Sequence, residues 1–189
     1  MAGRTLTEVI PLHRPHALLV VSLVVGLCAC DARRDFAGTY EVSGTLTTRA
    51  GGSANAVPVD KAQLVVVADA LDSDKLYLDF DCGLSGTMDD SESFQVDAKR
   101  CPSYMDEDCQ ITWAFSEGMG RRVEEGSKLE FNLSGTIQWR CYDGTVGQVG
   151  FSFALLGTRR SEDSSGAGQS GARSALRSAL ERELRSHLR

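Results

Sequence analysis

Residues 129–141 read LEFNLSGTIQWRC, and this stretch decides the fold. Its apolar side chains, from Leu129 to Cys141, share one parity, and its polar side chains, from Glu130 to Arg140, share the other. Because successive side chains of a β-strand point to opposite faces of the sheet, this alternation predicts a strand with one buried and one solvent-exposed face. The run is long enough to be one strand or to bend into two.

The same alternation recurs on both sides of this stretch. It is found near residues 40–46, 64–68, 76–82, 94–98, 111–115 and 149–155. The body shows no convincing helical period, so crossover helices and a parallel sheet are not expected. We therefore predict an all-β fold, an antiparallel meander of seven to eight strands that forms a small barrel. A two-sheet β-sandwich is the alternative.

Segments rich in Asp, Ser and Gly separate the predicted strands. Residues 69–74, 89–93 and 142–144 predict hairpin turns, and residues 50–55 and 117–128 predict longer loops.

A Ser-Gly-Thr motif places Gly44, Gly86 and Gly135 in strands at inward positions. A glycine there is typical of a bulge, a barrel bend or a position covered by a neighbouring aromatic ring. The functional alternative is a ligand that approaches the backbone at these glycines.

Length and charge limit the classes of function. The chain has 189 residues, which is room for one domain with appendages, and a formal net charge of -6. This charge argues against a nucleic-acid partner. The three histidines stand at positions 13, 16 and 187, outside the predicted body.

An apolar run, Ala17 to Leu27, precedes Leu27-Cys28-Ala29-Cys30. The run is shorter than the roughly 20 residues of a membrane-spanning helix but fits the apolar region of a secretory signal. The four residues ending at Cys30 resemble the lipobox of bacterial lipoproteins. The alternatives are an ordinary signal peptide and an uncleaved anchor.

The lipobox resemblance implies that residues 1–29 are a signal peptide and that Cys30 is the lipidated N-terminus of the mature protein. Its acyl groups would tether the chain to a membrane of the cell envelope, since two or three acyl chains give stable anchoring. The expected membrane is the outer one. Asp31 is a residue associated with retention at the inner membrane in some lipoproteins, so the periplasmic face of that membrane is the alternative.

The remaining chain divides by composition. Residues 30–35 are expected to be a tether, 36–160 a disulfide-stapled β domain, 161–171 a flexible Gly/Ser linker and 172–189 an amphipathic helical tail. Leucines recur every fourth residue in the tail, from Leu176 to Leu188, among several arginines. The tail could lie on an anionic membrane or pack on a partner, or it could be a solvated, partly ordered segment.

Four cysteines remain after processing: Cys82, Cys101, Cys109 and Cys141. An even number in an exported domain indicates two disulfides. Pairing Cys109 with Cys141 puts neighbouring buried positions of the two strands opposite one another, and Cys82 with Cys101 then follows. The pairs 101–109 and 82–141 are the runner-up. A zinc site is disfavoured because the spacings contain no CxxC pair.

The catalytic inventory is thin. With no histidine between Cys30 and His187, a Ser-His or Cys-His nucleophile pair cannot be built in the domain. Asp79 with Asp81, or the triplet 106–108, could pair carboxylates, but solvated acidic surface is the preferred interpretation. Calcium at 69–74 or 106–108 would suit clustered carboxylates, although no ordered loop signature is present. We expect no catalytic residues, no metal and no cofactor beyond the acyl groups on Cys30.

Residues 36–40, FAGTY, open the first strand, and Arg159 closes the last. This Gly-x-aromatic opening is similar to that of lipocalin-like and fatty-acid-binding barrels, and Arg159 resembles the lipocalin arginine. The resemblance implies a carrier of a small apolar ligand. The side chains expected to line its pocket are Tyr40, Phe80, Trp113, Phe131, Trp139, Phe151 and Phe153.

The sequence thus supports a lipid-anchored envelope protein whose β domain binds an unidentified protein or has a structural role. A lipocalin-like carrier is the alternative, and a carboxylate-dependent enzyme is the third hypothesis.

Overall fold

The computed structural model describes residues 31–80, 82–160 and 172–187, with the side chains of the last range described at 176 and 178–185. Its elements are α1 (Ala32–Phe36), β1 (Gly38–Ala50), β2 (Ser53–Ala68), β3 (Lys75–Leu78), β4 (Leu84–Met88), β5 (Ser93–Val96), β6 (Lys99–Arg100), β7 (Tyr104–Asp106), β8 (Cys109–Val123), a 3-10 turn (Glu124–Gly126), β9 (Lys128–Cys141), β10 (Val146–Arg159) and α2 (Ala172–His187). The all-β prediction is confirmed.

The strands form one antiparallel sheet that closes on itself. Hydrogen-bonded neighbours run from β5 through β4, β3, β2, β1, β10 and β9 to β8, and β5 also pairs with β8. This ring of eight is a barrel, so the two-sheet sandwich is not formed. Its strands are unequal in length, because β3, β4 and β5 have four or five residues where β2 has 16.

The segment from β5 to β7 acts as a single interrupted strand beside β8. Ser93 pairs with Arg121, Lys99 with Phe115 and Tyr104 with Ile111, always antiparallel. The paired residues of β8 have decreasing numbers from Ser93 to Tyr104, so the three pieces pair with successive stretches of β8. The strand count was left open in the sequence for a different reason, whether residues 129–141 bend into two strands, and they lie in the single strand β9.

Two segments expected to be long loops, 50–55 and 117–128, are mostly strand with a short turn in each. β1 and β2 are joined by the tight turn Gly51-Gly52, whose φ angles of 56° and 86° suit glycine. β8 continues to Val123 beyond a bulge at Ser116, where the pairing steps from Phe115 to Glu117. The bulge reverses which parity faces inward, and this reversal hid the second half of β8 from the alternation pattern.

The three Ser-Gly-Thr glycines lie where the backbone is closely approached, as expected. A Cβ on Gly86 would lie 2.7 Å from the Phe94 ring, and one on Gly135 would lie 2.7 Å from the Phe151 ring. A Cβ on Gly44 would lie 2.0 Å from the Ala154 carbonyl oxygen. The β1–β2 register also shifts between Val42 and Gly44, so all three positions serve the barrel's own packing.

Both preferred disulfides are formed. Cys109 and Cys141 stand directly opposite in the β8–β9 register, and the pairs Ile111–Trp139 and Trp113–Ile137 follow as predicted. Cys82 is joined to Cys101, with their Cα atoms 5.6 Å apart. The runner-up pairing, 101–109 and 82–141, is therefore wrong.

The C-terminal helix α2 completes the barrel wall. Of the 16 residues of β2, only Val66–Ala68 pair with β3, and α2 packs against β2 and β1. Leu176, Leu180 and Leu184 are 3%, 0% and 1% exposed and belong to the barrel's hydrophobic core. The leucine face is therefore not available to a membrane, and the expectation of a solvated tail is also wrong for these residues.

The expected tether differs from the structure as well. Residues 32–36 form α1, which Asp31 caps by accepting a hydrogen bond from the Arg33 backbone N–H at 3.2 Å. Phe36 is fully buried, with its ring 5.3 Å from that of Phe94. The signal peptide, Cys30 and the linker 161–171 lie outside the described residues.

The two ends of the barrel are distinct. The proximal end holds Asp31, α1 and the turns 69–74, 89–92 and 124–127, and the distal end holds the turns 51–52, 107–108 and 142–145. Among the described helices, none is both long enough and apolar enough to cross a membrane.

Candidate functional site

A cleft of about 530 Å³ opens at the distal end. It lies between the turns 107–108 and 142–145, beside the Cys109–Cys141 disulfide and the end of α2. Its lining residues are Asp106, Glu107, Asp108, Cys109, Trp139, Cys141, Tyr142, Asp143, Thr145, Val146 and Arg185. The cleft is therefore built where the long β8 and β9 strands reach their tips.

Backbone hydrogen bonds and the disulfide fix the shape of this cleft. The Tyr142 N–H donates to the Asp108 carbonyl at 3.0 Å, which joins the two distal turns. The Asp143 carboxylate accepts from the Thr145 N–H at 2.8 Å, a turn geometry that aspartate favours. Gly144 has a φ of 87°, which glycine adopts without steric cost.

The cleft carries an excess of negative charge. Its acidic residues are Asp106, Glu107, Asp108 and Asp143, and its single basic residue is Arg185. Arg185 Nη2 lies 3.6 Å from Asp106 Oδ1. Hydrogen bonds from the backbone and side chain of Thr145 lower the pKa of Asp143, so this carboxylate is ionised at neutral pH. The surface is suited to a cationic partner.

Six of the seven side chains expected to line a ligand pocket are buried in the barrel, and Trp139 alone of the seven borders the cleft. Phe80 lies edge-on to Phe115 and Phe153 at centroid distances of 5.6 and 5.7 Å. Phe151 lies 6.4 Å from Trp113. These rings pack against one another in the middle of the barrel.

Tyr40 and Arg159 form a contact at the proximal end. The Arg159 guanidinium lies over the Tyr40 ring, 5.5 Å from its centroid, and Nη2 donates to the Tyr40 hydroxyl at 3.1 Å. The same nitrogen donates to the Ala37 carbonyl at 3.0 Å. Arg159 therefore joins the last strand to the chain that enters the first.

Arg33 fixes the start of the described chain. Its Nε donates to the Asp31 carboxylate at 2.8 Å, and Nη1 donates to the carbonyls of Asp69, at 2.8 Å, and of Asp72. The hydrogen bond from Arg33 lowers the pKa of Asp31. The residue that follows Cys30 in the sequence is thus held against the barrel.

In the turn 69–74, one of the two proposed calcium positions, the Asp69 carboxylate binds backbone N–H groups. Asp69 Oδ1 accepts from the N–H groups of Leu71 at 2.6 Å and of Asp72 at 3.1 Å. Over the described residues, no group of three or more His, Cys, Asp or Glu side chains is arranged to hold a metal ion. Asp79 is partly buried, and Asp81 lies outside the described residues.

Sequence reasoning missed a polar cluster on the outer face of β3 and β4. Asp97 accepts hydrogen bonds from Lys75 at 2.8 Å, Ser85 at 2.7 Å and Thr87 at 2.7 Å. Burial acts to raise the pKa of Asp97, but these three hydrogen bonds outweigh it and lower the pKa. The cluster holds the two short strands together, and the Asp97 carboxylate is occupied by these three hydrogen bonds.

Comparisons with protein-family models, curated proteins and solved structures found no match to this chain. Its function is therefore inferred from its residues and their geometry.

Proposed function

We propose that this protein is a lipoprotein of the bacterial cell envelope, anchored through acyl groups on Cys30, with a non-catalytic barrel that binds a partner or has a structural role. The observation that carries the proposal is the sequence Leu27-Cys28-Ala29-Cys30. It is followed directly by Asp31, whose carboxylate is hydrogen-bonded to Arg33. The two disulfides support it, because such bonds persist in oxidising compartments. The outer membrane is the proposed site, with the periplasmic face of the inner membrane as the alternative.

The distal cleft is the proposed binding surface. An anchor at Cys30 attaches the proximal end to the membrane, and the cleft lies at the other end of the long strands. Its four acidic residues and the 82% exposed Tyr142 favour a basic protein partner over a small apolar ligand. The packed rings of Phe80, Trp113 and Phe151 also leave the carrier alternative with less support.

A carboxylate enzyme has the least support. Glu107, Asp108 and Asp143 are all exposed to solvent, whereas the carboxyl group of a general acid is shielded from it.

Detergent phase partition of the full chain, made in a bacterial host, tests the anchor. The wild type and Cys28→Ser should enter the detergent phase, because only the cysteine at the end of the lipobox carries acyl groups. Cys30→Ser should remain in the aqueous phase or stay uncleaved. Equal partition of Cys30→Ser and wild type at the same processed length would overturn the proposal.

A further inference from the structure

We propose that the turn Asp69–Asp74, together with the exposed Val67–Tyr77 pair beside it on the β2–β3 hairpin, is a second membrane contact that seats the barrel on a zwitterionic lipid surface. This contact rests on the proposed lipidation of Cys30. It adds to that proposal an orientation, in which the hairpin faces the bilayer and the distal cleft faces away.

Exposed apolar side chains identify the surface. Leu71, near the tip of the turn, is 99% exposed. On the adjoining strands Val67 and Tyr77 are 50% and 47% exposed, and they stand opposite each other in the β2–β3 register. Complete burial of one leucine side chain is worth about 1.5–3 kcal/mol, so removal of these three from water is favourable. Tyrosine is also typical of the membrane–water interface, where its ring is buried and its hydroxyl stays wet.

Arg33 connects this surface to the anchor. It donates from Nη1 to the carbonyls of Asp69 and Asp72, on either side of Leu71, and from Nε to the carboxylate of Asp31. Cys30 is the residue immediately before Asp31 in the sequence. The proposed acyl chains therefore begin one residue away from a segment that is hydrogen-bonded to the turn carrying Leu71.

The charge of the turn selects the kind of lipid. Asp69, Asp72 and Asp74 lie within six residues of the chain and outnumber the two basic side chains that interact with the turn, Arg33 and Lys75. Hydrogen bonds from the Leu71 backbone and then from the Tyr77 hydroxyl lower the pKa of Asp69, so this carboxylate stays ionised at neutral pH. A surface of anionic lipid would repel these carboxylates, whereas a zwitterionic surface accepts the leucine without that cost.

Tryptophan quenching in liposomes tests the contact with the full acylated protein. Leu71→Trp and the control Val146→Trp, which is 64% exposed at the distal end, are each reconstituted into phosphatidylcholine with and without bromine on its acyl chains. The native Trp113 is buried in the barrel and Trp139 borders the distal cleft, so both supply an unquenched background. We expect the emission added by Leu71→Trp to be largely lost in brominated lipid and that added by Val146→Trp to be retained.

Flotation of the same liposomes separates the two proposals. If both variants float and Leu71→Trp is not quenched, the membrane contact is wrong while the anchor stands. If neither variant floats, the anchor at Cys30 is wrong and the contact fails with it. Equal quenching of both variants would show that the barrel has no preferred orientation, which also contradicts the contact.

Discussion

Arg33 Nη1 lies 2.8 Å from the carbonyl oxygen of Asp69, across 36 positions of sequence. Through this hydrogen bond and its ion pair with Asp31, Arg33 joins the beginning of the domain to the first proximal turn. A lipid attached just before Asp31 would therefore act on a folded segment and not on a loose tether.

The Arg33 clamp can be removed selectively. Arg33→Ala should speed amide hydrogen exchange at Arg34 and Ala37, whose N–H groups bond within α1. The matched control is Arg34→Ala, which removes only a 3.6 Å ion pair with Asp31 from a side chain that is 83% exposed, so exchange at Ala37 should change much less. Equal exchange in both variants would show that Arg33 does not hold α1 in place.

Packing of an aromatic ring onto glycine predicts a second effect. A Cβ on Gly120 would lie 2.2 Å from the Phe94 ring, at the β5–β8 pairing that closes the barrel. Gly120→Ala should lower the free energy of unfolding by about 1–3 kcal/mol because the ring must move. Gly150→Ala is the control, because its Cβ would meet nothing closer than 3.8 Å. Urea denaturation measures both, and equal midpoints would contradict the packing.

The position of α2 predicts a third effect. Leu180 is fully buried, so Leu180→Ala should cost about 2–5 kcal/mol in the free energy of unfolding. Ser178→Ala, at an exposed position of the same helix, should change it by no more than about 0.5 kcal/mol. Thermal and urea unfolding of the full chain decide between these expectations. A Leu180 variant as stable as the Ser178 variant would mean that α2 is not part of the wall.

The Asp97 cluster predicts a dependence of stability on pH. Asp97→Asn should lower the free energy of unfolding by about 1–3 kcal/mol at neutral pH, because Lys75 loses its charged partner. Since folding lowers the pKa of Asp97, its stabilisation is complete above the unfolded value of about 3.9 and is lost as the pH falls through the folded pKa.

The Asp97 measurement is urea denaturation between neutral and strongly acid pH, with Asp60→Asn at an exposed position of β2 as control. The difference in the free energy of unfolding between wild type and Asp97→Asn should disappear only at the most acidic pH values. A gap that is constant down to the acid limit would show that the ionised carboxylate is not what stabilises the cluster.

Strict alternation made part of this fold predictable. In β9 it identified the buried face, and the resulting register paired Cys109 with Cys141 correctly. The pattern failed in β8, where the bulge at Ser116 exchanges the two faces and glycines replace apolar side chains at the inward positions. The alternation of apolar and polar residues therefore cannot identify a strand beyond a bulge, because the inward-facing positions change parity there.

Long-range packing set a second limit on prediction. The leucines of α2 show that the helix has an apolar face, but its period does not say which surface covers that face. That surface is formed by β2 and β1, more than 100 residues earlier in the chain. The distal cleft was missed for the same reason, because Arg185 and Asp106 meet only in the folded chain.

Intact mass spectrometry of the membrane-extracted protein tests the central proposal most directly. The account predicts a chain that begins at Cys30, carries the added mass of a diacylglyceryl group with or without a further acyl chain, and lacks four thiol hydrogens because of the disulfides 82–101 and 109–141. A chain that begins elsewhere, or that begins at Cys30 with no added lipid mass, would contradict it.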